Sequence, residues 1–163
     1  MILQLKNDIL HQHTERFDFT NPPMDPTELF QNLKETMIAN RGVGLAAPQC
    51  GIPYSVFVMG NPDDPDSVFS VFNPKIVDEA SKDIVLGEEG CLSYPNLFVK
   101  VKRPKSIKAR FSGHDGNVGT LKMDGWTARI FQHEFDHLYG ITFQKRASKF
   151  HLDQAKNKQK KMK

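Results

Sequence analysis

His133-Glu134-Phe135-Asp136-His137 is an H-E-x-x-H pattern. Helical residues four apart share a face, so both imidazoles can reach one metal ion. Glu134, beside the first histidine, then stands where a general base is needed. A helix through this segment also carries Ile130, Phe131, Phe135 and Leu138 and buries much of its surface. Buried His, Glu and Asp side chains need partners, which favours metal binding over two solvated histidines.

A catalytic site of this kind needs a third ligand and an open position. One protease arrangement places a third histidine six residues after the second, where this chain has Phe143; another uses a downstream glutamate, and none follows Glu134. The ligand therefore comes from upstream or from a less usual residue. Cys91, in Glu88-Glu89-Gly90-Cys91-Leu92-Ser93, is the best upstream candidate. Its thiolate suits a divalent transition metal, and Gly90 permits close backbone approach. Cys50, in Pro48-Gln49-Cys50-Gly51, ranks second and reads as structural. Two cysteines do not make a disulfide framework, so free thiols are expected.

The elements that position these groups follow from periodicity and punctuation. A helix is predicted over 26–40, with Asp25 as its cap, Pro26 at its first position, and Leu29, Leu33 and Met37 facing the core. Strands are predicted over 54–59, 68–72, 76–77, 97–102, 106–111 and 118–123, with breaks at Pro74 and Pro104 and a turn at 113–117. Their closeness in sequence favours antiparallel pairing. The helix bearing the histidines is predicted over 125–139, capped by Asp124 and ended by Gly140. From Lys149 the composition suits a short helix fraying into a lysine-rich end. The class is α+β, and 163 residues fit one domain.

The net charge of +3 hides an asymmetry. From Lys145 onward there are eight Lys/Arg and one acid, leaving 14 bases against 18 acids in the rest, an acidic body with a basic tail. No apolar run approaches the roughly 20 residues that span a bilayer. The N-terminal segment lacks the basic-then-apolar order of a secretory signal. The default expectation is a soluble intracellular protein with neither membrane nor DNA as partner.

Three segments together resemble the peptide deformylases. Gly42-Val43-Gly44-Leu45-Ala46-Ala47-Pro48-Gln49 fits that family's G-x-G-L-A-A-x-Q, Glu89-Gly90-Cys91-Leu92-Ser93 its E-G-C-L-S, and Gln132-His133-Glu134-Phe135-Asp136-His137-Leu138 its Q-H-E-x-D-H-L. Their order and wide spacing also match. The resemblance implies antiparallel β-sheets packed around a central helix carrying the histidines, plus an N-terminal helix. It implies a catalytic domain over 1–148, with 149–163 as a basic tail or short helix. It implies Cys91, His133 and His137 as ligands of Fe²⁺, replaceable by zinc or nickel. Glu134 becomes the catalytic acid/base, and Gln49 with the Leu92 backbone N–H stabilises the oxyanion. The implied reaction is hydrolysis of the N-formyl group from the initiator methionine of nascent polypeptides.

By the same resemblance Val43, Gly44, Glu89, Gly90, Trp126, Arg129 and Ile130 contact substrate, with the Gly44 backbone running beside it. Gln132 and Asp136 support the metal-bound rings, and Arg103 pairs with Asp136 to tie the ligand loop to the helix. The basic tail, Lys156 to Lys163, is a candidate ribosome contact. The chain departs from the pattern at three places. Gly87 and Arg129 stand where many bacterial members have aliphatic residues, and Phe98 where many have arginine. Trp126 is expected to fill the space at Gly87, and the Arg129 stem to pack while its charge reaches solvent. The competing readings are another metallopeptidase, a deformylase-like protein without activity, and a His2Cys copper electron carrier. The last needs an axial methionine and leaves Glu134 without a task.

Overall fold

The computed structural model describes residues 2, 7–78 and 82–162. Helix α1 spans Pro26–Ala39. The Asp25 carboxylate accepts the Thr27 and Glu28 N–H groups at 2.8 and 3.1 Å, meeting two donors that no carbonyl can reach. Leu29, Leu33 and Met37 are buried on one face. The helix ends with Arg41 in the left-handed region (φ 59°) and a bond from Gly42 N–H to the Met37 carbonyl.

Five antiparallel strands form the main sheet, in the order β1 (Gly44–Ala46), β2 (Val56–Met59), β3 (Phe69–Asp78), β6 (Ser106–Ser112), β7 (Val118–Asp124). Both faces of its first strands are buried, and alternation sorts their side chains. Leu45, Val56, Val58 and Phe72 point to α1, with Leu33 and Met37. Ala46, Phe57, Met59 and Val71 point to helix α2 (Gly125–Leu138), with Ala128, Phe131 and Leu138. Strands β4 (Ile84–Cys91) and β5 (Tyr94–Pro104) make a separate hairpin. Helix α3 (Lys149–Lys161) covers it through Leu152 and Ala155, and the Gln159 amide donates to the Pro95 carbonyl at 3.1 Å. Among the described residues the fold is mixed α+β, with antiparallel sheets and three α-helices. Among the described residues, no helix is long and apolar enough to cross a membrane.

Besides shifts of two or three residues at the ends of β2 and β5, the strands depart from expectation in three places. The segments expected over 68–72 and 76–77 are one strand, because the register shifts between Phe72 and Lys75 and Asn73 turns to φ 51°. Pro74 sits within that irregularity, where a missing N–H breaks no ladder bond. Strand β4 was not anticipated, since Gly87-Glu88-Glu89-Gly90 has a poor strand composition. Pairing with β5 holds it, from Ile84 opposite Pro104 to Cys91 opposite Tyr94. The three residues of β1 were also unread; Leu45 pairs with Val58.

Candidate metal centre

The sulfur arrives from the end of β4 and the imidazoles from α2. Asp124 starts α2 by accepting the Gly125 N–H at 2.8 Å, and the helical repeat then brings His133 and His137 one above the other. One ligand atom from each of Cys91, His133 and His137 lies within 4.8 Å of the others. Cys91 Sγ is 3.5 Å from His137 Nε2. Cys50 is elsewhere, packed beside the α1 core, where burial pushes its thiol pKa up.

Gln49 stands beside the sulfur. Its carbonyl oxygen accepts the Ala46 N–H at 2.9 Å, so its amide points inward, donating to Ser93 Oγ at 3.1 Å and reaching Cys91 Sγ at 3.5 Å. Leu92 follows Cys91 in the β4–β5 turn and packs toward Gly42. Glu134 is buried, and its Oε2 has no hydrogen-bond partner among the described residues. A Cβ at Gly44 would lie 2.7 Å from Glu134 Oε1, so the glycine lets β1 run against the acid. Burial lifts the Glu134 pKa to about 7, with the Glu89 charge adding to the rise and His133 and Arg103 opposing it.

Glu89 organises the far side of the rings. Its Oε1 contacts His133 Nδ1 at 2.9 Å, leaving Nε2 toward Cys91. The same carboxylate accepts two bonds from Arg103 (2.7 and 2.9 Å) and one from Arg129 (2.7 Å). Arg103 continues to Asp136 at 2.9 Å, and Asp136 accepts two bonds from Arg146 at 2.9 and 3.0 Å. Asp136 thus reaches the rings only through Arg103 and Glu89. The Gln132 amide donates to the carbonyls of Pro104 and Ala128. Ser93 and Arg146 belong to this arrangement without having been anticipated. Ser93 stood inside a quoted motif; nothing in the sequence marked Arg146.

In the metal-free protein, burial pulls the His133 pKa down, but hydrogen bonds to Cys91 and Glu89 outweigh it and raise the value to about 10. Burial, with the positive charge of His133 and Arg103, holds His137 well below the imidazole norm. A divalent ion would replace the direct hydrogen bond between His133 and Cys91. One sulfur and two imidazole nitrogens are a donor set suited to Fe²⁺, Zn²⁺ or Ni²⁺, so the residues present fit such an ion.

Residues 1–153 match the family model for polypeptide deformylase. The chain belongs to the polypeptide deformylase family. It is 45% identical over 111 residues to the peptide deformylase of Thermotoga neapolitana, an alignment spanning 68% of this chain and 65% of that protein. With peptide deformylase 1 of Bacillus cereus it shares 35% over 150 residues, 92% and 93% of the two chains. A plant peptide deformylase crystal structure superposes with a TM-score of 0.89 at 30% identity, covering 99% and 87%. A Synechococcus elongatus deformylase in complex with actinonin gives 0.89 at 30%, covering 98% and 87%.

Within this deformylase-family fold, a cavity of about 560 Å³ opens above Cys91. Val43, Gly44, Gln49, Glu89, Gly90, Leu92, Trp126, Arg129, Ile130, His133 and Glu134 all line it. Two expectations about its wall are corrected. Trp126 does not fill the space at Gly87; the residue is 58% exposed at the mouth. Arg129 fills that space instead, and its charge does not reach solvent, the residue being 7% exposed. A Cβ at Gly87 would lie 2.8 Å from Arg129 Cζ and Nε. The guanidinium stays buried because its donors are met: besides Glu89 it bonds the carbonyls of Val85 (2.6 Å) and Val101 (2.9 Å).

Proposed function

We propose that this chain removes the formyl group from the initiator methionine of nascent polypeptides by metal-dependent hydrolysis, releasing formate. The observation that carries the reading is the meeting of the Cys91 thiol and the His133 and His137 rings beneath a cavity walled by Glu134 and Gln49. Cys91, His133 and His137 hold the ion, Fe²⁺ by preference, with zinc or nickel as substitutes. When bound, it polarises the formyl group and makes water acidic enough to attack near neutral pH.

Glu134 accepts a proton from the attacking water and later delivers it to the departing amine. Its carboxyl is buried beside the metal ligands, with Oε2 unpartnered among the described residues and so open to the water's proton. As the water oxygen bonds to the formyl carbon, charge gathers on the formyl oxygen. The Gln49 amide and the Leu92 N–H donate to that oxygen; losing one such donor costs about 10²–10³ in rate. Gln49 is held ready by its bond to Ala46 N–H. The C–N bond breaks, formate leaves, and the methionine amine is freed. Val43, Gly44, Glu89, Gly90, Trp126, Arg129 and Ile130 form the substrate wall. Glu89 aims His133, Arg103 and Asp136 steady Glu89, and Gln132 ties α2 to the end of β5.

In this reading α2 is the central helix of a catalytic domain over 1–148, and 149–163 is an appendage to it. The exposed lysines of α3 give that appendage a surface for ribosomal phosphates; Lys163 lies outside the described residues. The protein works as a cytoplasmic monomer. The test is formate release from formyl-Met-Ala-Ser under anaerobic conditions. Expected is turnover by the iron-loaded protein and a fall of about 10²–10⁴ in E134A. No formate from the metal-loaded wild type would leave the reading of a deformylase-like protein without activity.

A further inference from the structure

Three large apolar side chains stand in water around the mouth of the cavity. Val43 is 37% exposed, Phe98 48% and Trp126 58%. They come from three places in the chain: the loop before β1, strand β5 and the first turn of α2. Single exposed apolar residues are ordinary; several gathered on the rim of one cavity mark a contact surface. Phe98 has a fixed seat there. A Cβ at Gly90 would lie 2.8 and 2.9 Å from its ring carbons, so the ring rests on the glycine one residue before the metal-facing Cys91.

The arginines that line this cavity are already matched. Arg41, at the outer edge, pairs with Asp63 at 2.8 Å. Arg129 and Glu89 are buried against each other. What the rim offers a visitor is therefore mainly apolar surface, beside the uncharged amides of Asn40 and Asn96. A formyl group at Cys91 sends the rest of its chain outward across this rim, which is continuous with the site.

We propose that Val43, Phe98 and Trp126 are specificity-determining residues that favour formylated chains with apolar side chains at the second and third positions. The proposal rests on the deformylase reading and goes beyond it by naming the substrate class.

Trp126 is the sole tryptophan, so its emission reports on the rim separately from turnover. The iron-loaded protein is given formyl-Met-Leu-Phe and formyl-Met-Ser-Asp, and the released products Met-Leu-Phe and Met-Ser-Asp are titrated while emission is recorded. Expected is a kcat/KM preference of about 10-fold or more for the apolar peptide, the range a small apolar pocket supplies. A blue shift with Met-Leu-Phe and none with Met-Ser-Asp at the same concentration is also expected. F98S should shrink the preference by about 5-fold or more, and F98L should keep most of it. Equal kcat/KM values in the wild type overturn the proposal. So does an F98S variant that slows both substrates by one factor with the preference intact. If the wild type releases formate from neither peptide, the deformylase reading fails. In that event the emission decides the rim by itself: a shift confined to Met-Leu-Phe supports it, and no shift overturns it.

Discussion

Helix α2 buries two faces against two different neighbours. Ala128, Phe131 and Leu138 pack on the five-stranded sheet among Phe57, Val71 and Ile107. Arg129, His133 and Asp136 meet Glu89, Arg103 and Arg146 from the hairpin and the turn that follows the helix. The first face is held by area removed from water, which has no preferred direction. The second is held by donors and acceptors at 2.7–3.0 Å, each with a fixed direction. Buried ion pairs roughly break even with apolar replacements, so the second face adds little net stability. What it supplies is aim, with His133 turned toward Cys91 by a carboxylate that two arginines hold still. Folding and chemistry are divided between opposite sides of one helix.

The largest effect expected from breaking this division is in C91A. It should abolish metal retention after dialysis, measured by elemental analysis, and leave the circular dichroism of the metal-free protein unchanged. Next is F131A, which should cost about 3–5 kcal/mol in urea unfolding while metal affinity stays within a few-fold. R103A should cost a similar 3–5 kcal/mol, because it strands Glu89 and Asp136, and should also weaken metal binding by about 10–100-fold. If F131A weakened metal binding as much as R103A, the two faces would not be separate.

A pH series sharpens the contrast. In the metal-free protein the Glu134 carboxyl is raised by burial from an ordinary 4.5 to about 7. A carboxyl raised in the folded state stabilises the fold fully below 4.5 and loses that contribution as pH climbs through 7. Metal-free E134Q should therefore be more stable than metal-free wild type at pH 8, by on the order of 1–3 kcal/mol. Glu89 behaves oppositely. Burial would raise it, but bonds from His133 and Arg103 bring it down to about 2. Its contribution is present above 4.5 and is lost as pH falls toward 2, which thermal unfolding across that range would show. The smallest effect belongs to R146A. Its side chain is 48% exposed, so screening should hold the loss to about 1 kcal/mol or less.

The two faces also differ in how far they could be read in the sequence. Leu29, Leu33 and Met37 on α1, and the i, i+4 histidines on α2, follow from the helical repeat alone. The caps at Asp25 and Asp124 are equally local. Strand β4 was not legible, because its Gly and Glu residues are held by β5 and by Arg129 rather than by their own propensity. Pro74 reads as a break in the sequence because a bulge that tolerates proline leaves no mark in one strand's composition. Arg129 reads there as a base with its charge in solvent because its partners are distant. Its acceptors, Val85, Glu89 and Val101, lie 28–44 residues away, and only the folded chain assembles them.

The seat of Arg129 over Gly87 has a consequence for how this chain can change. A methyl group at residue 87 would strike a guanidinium that cannot swing aside without releasing its carboxylate and carbonyl partners. The two positions are therefore locked into an order of substitution. Residue 129 must shorten before residue 87 can grow, and a lineage attempting the steps in reverse passes through a protein with a buried guanidinium displaced from Glu89 and Val85. In either order Arg103 still holds Glu89 against the His133 ring.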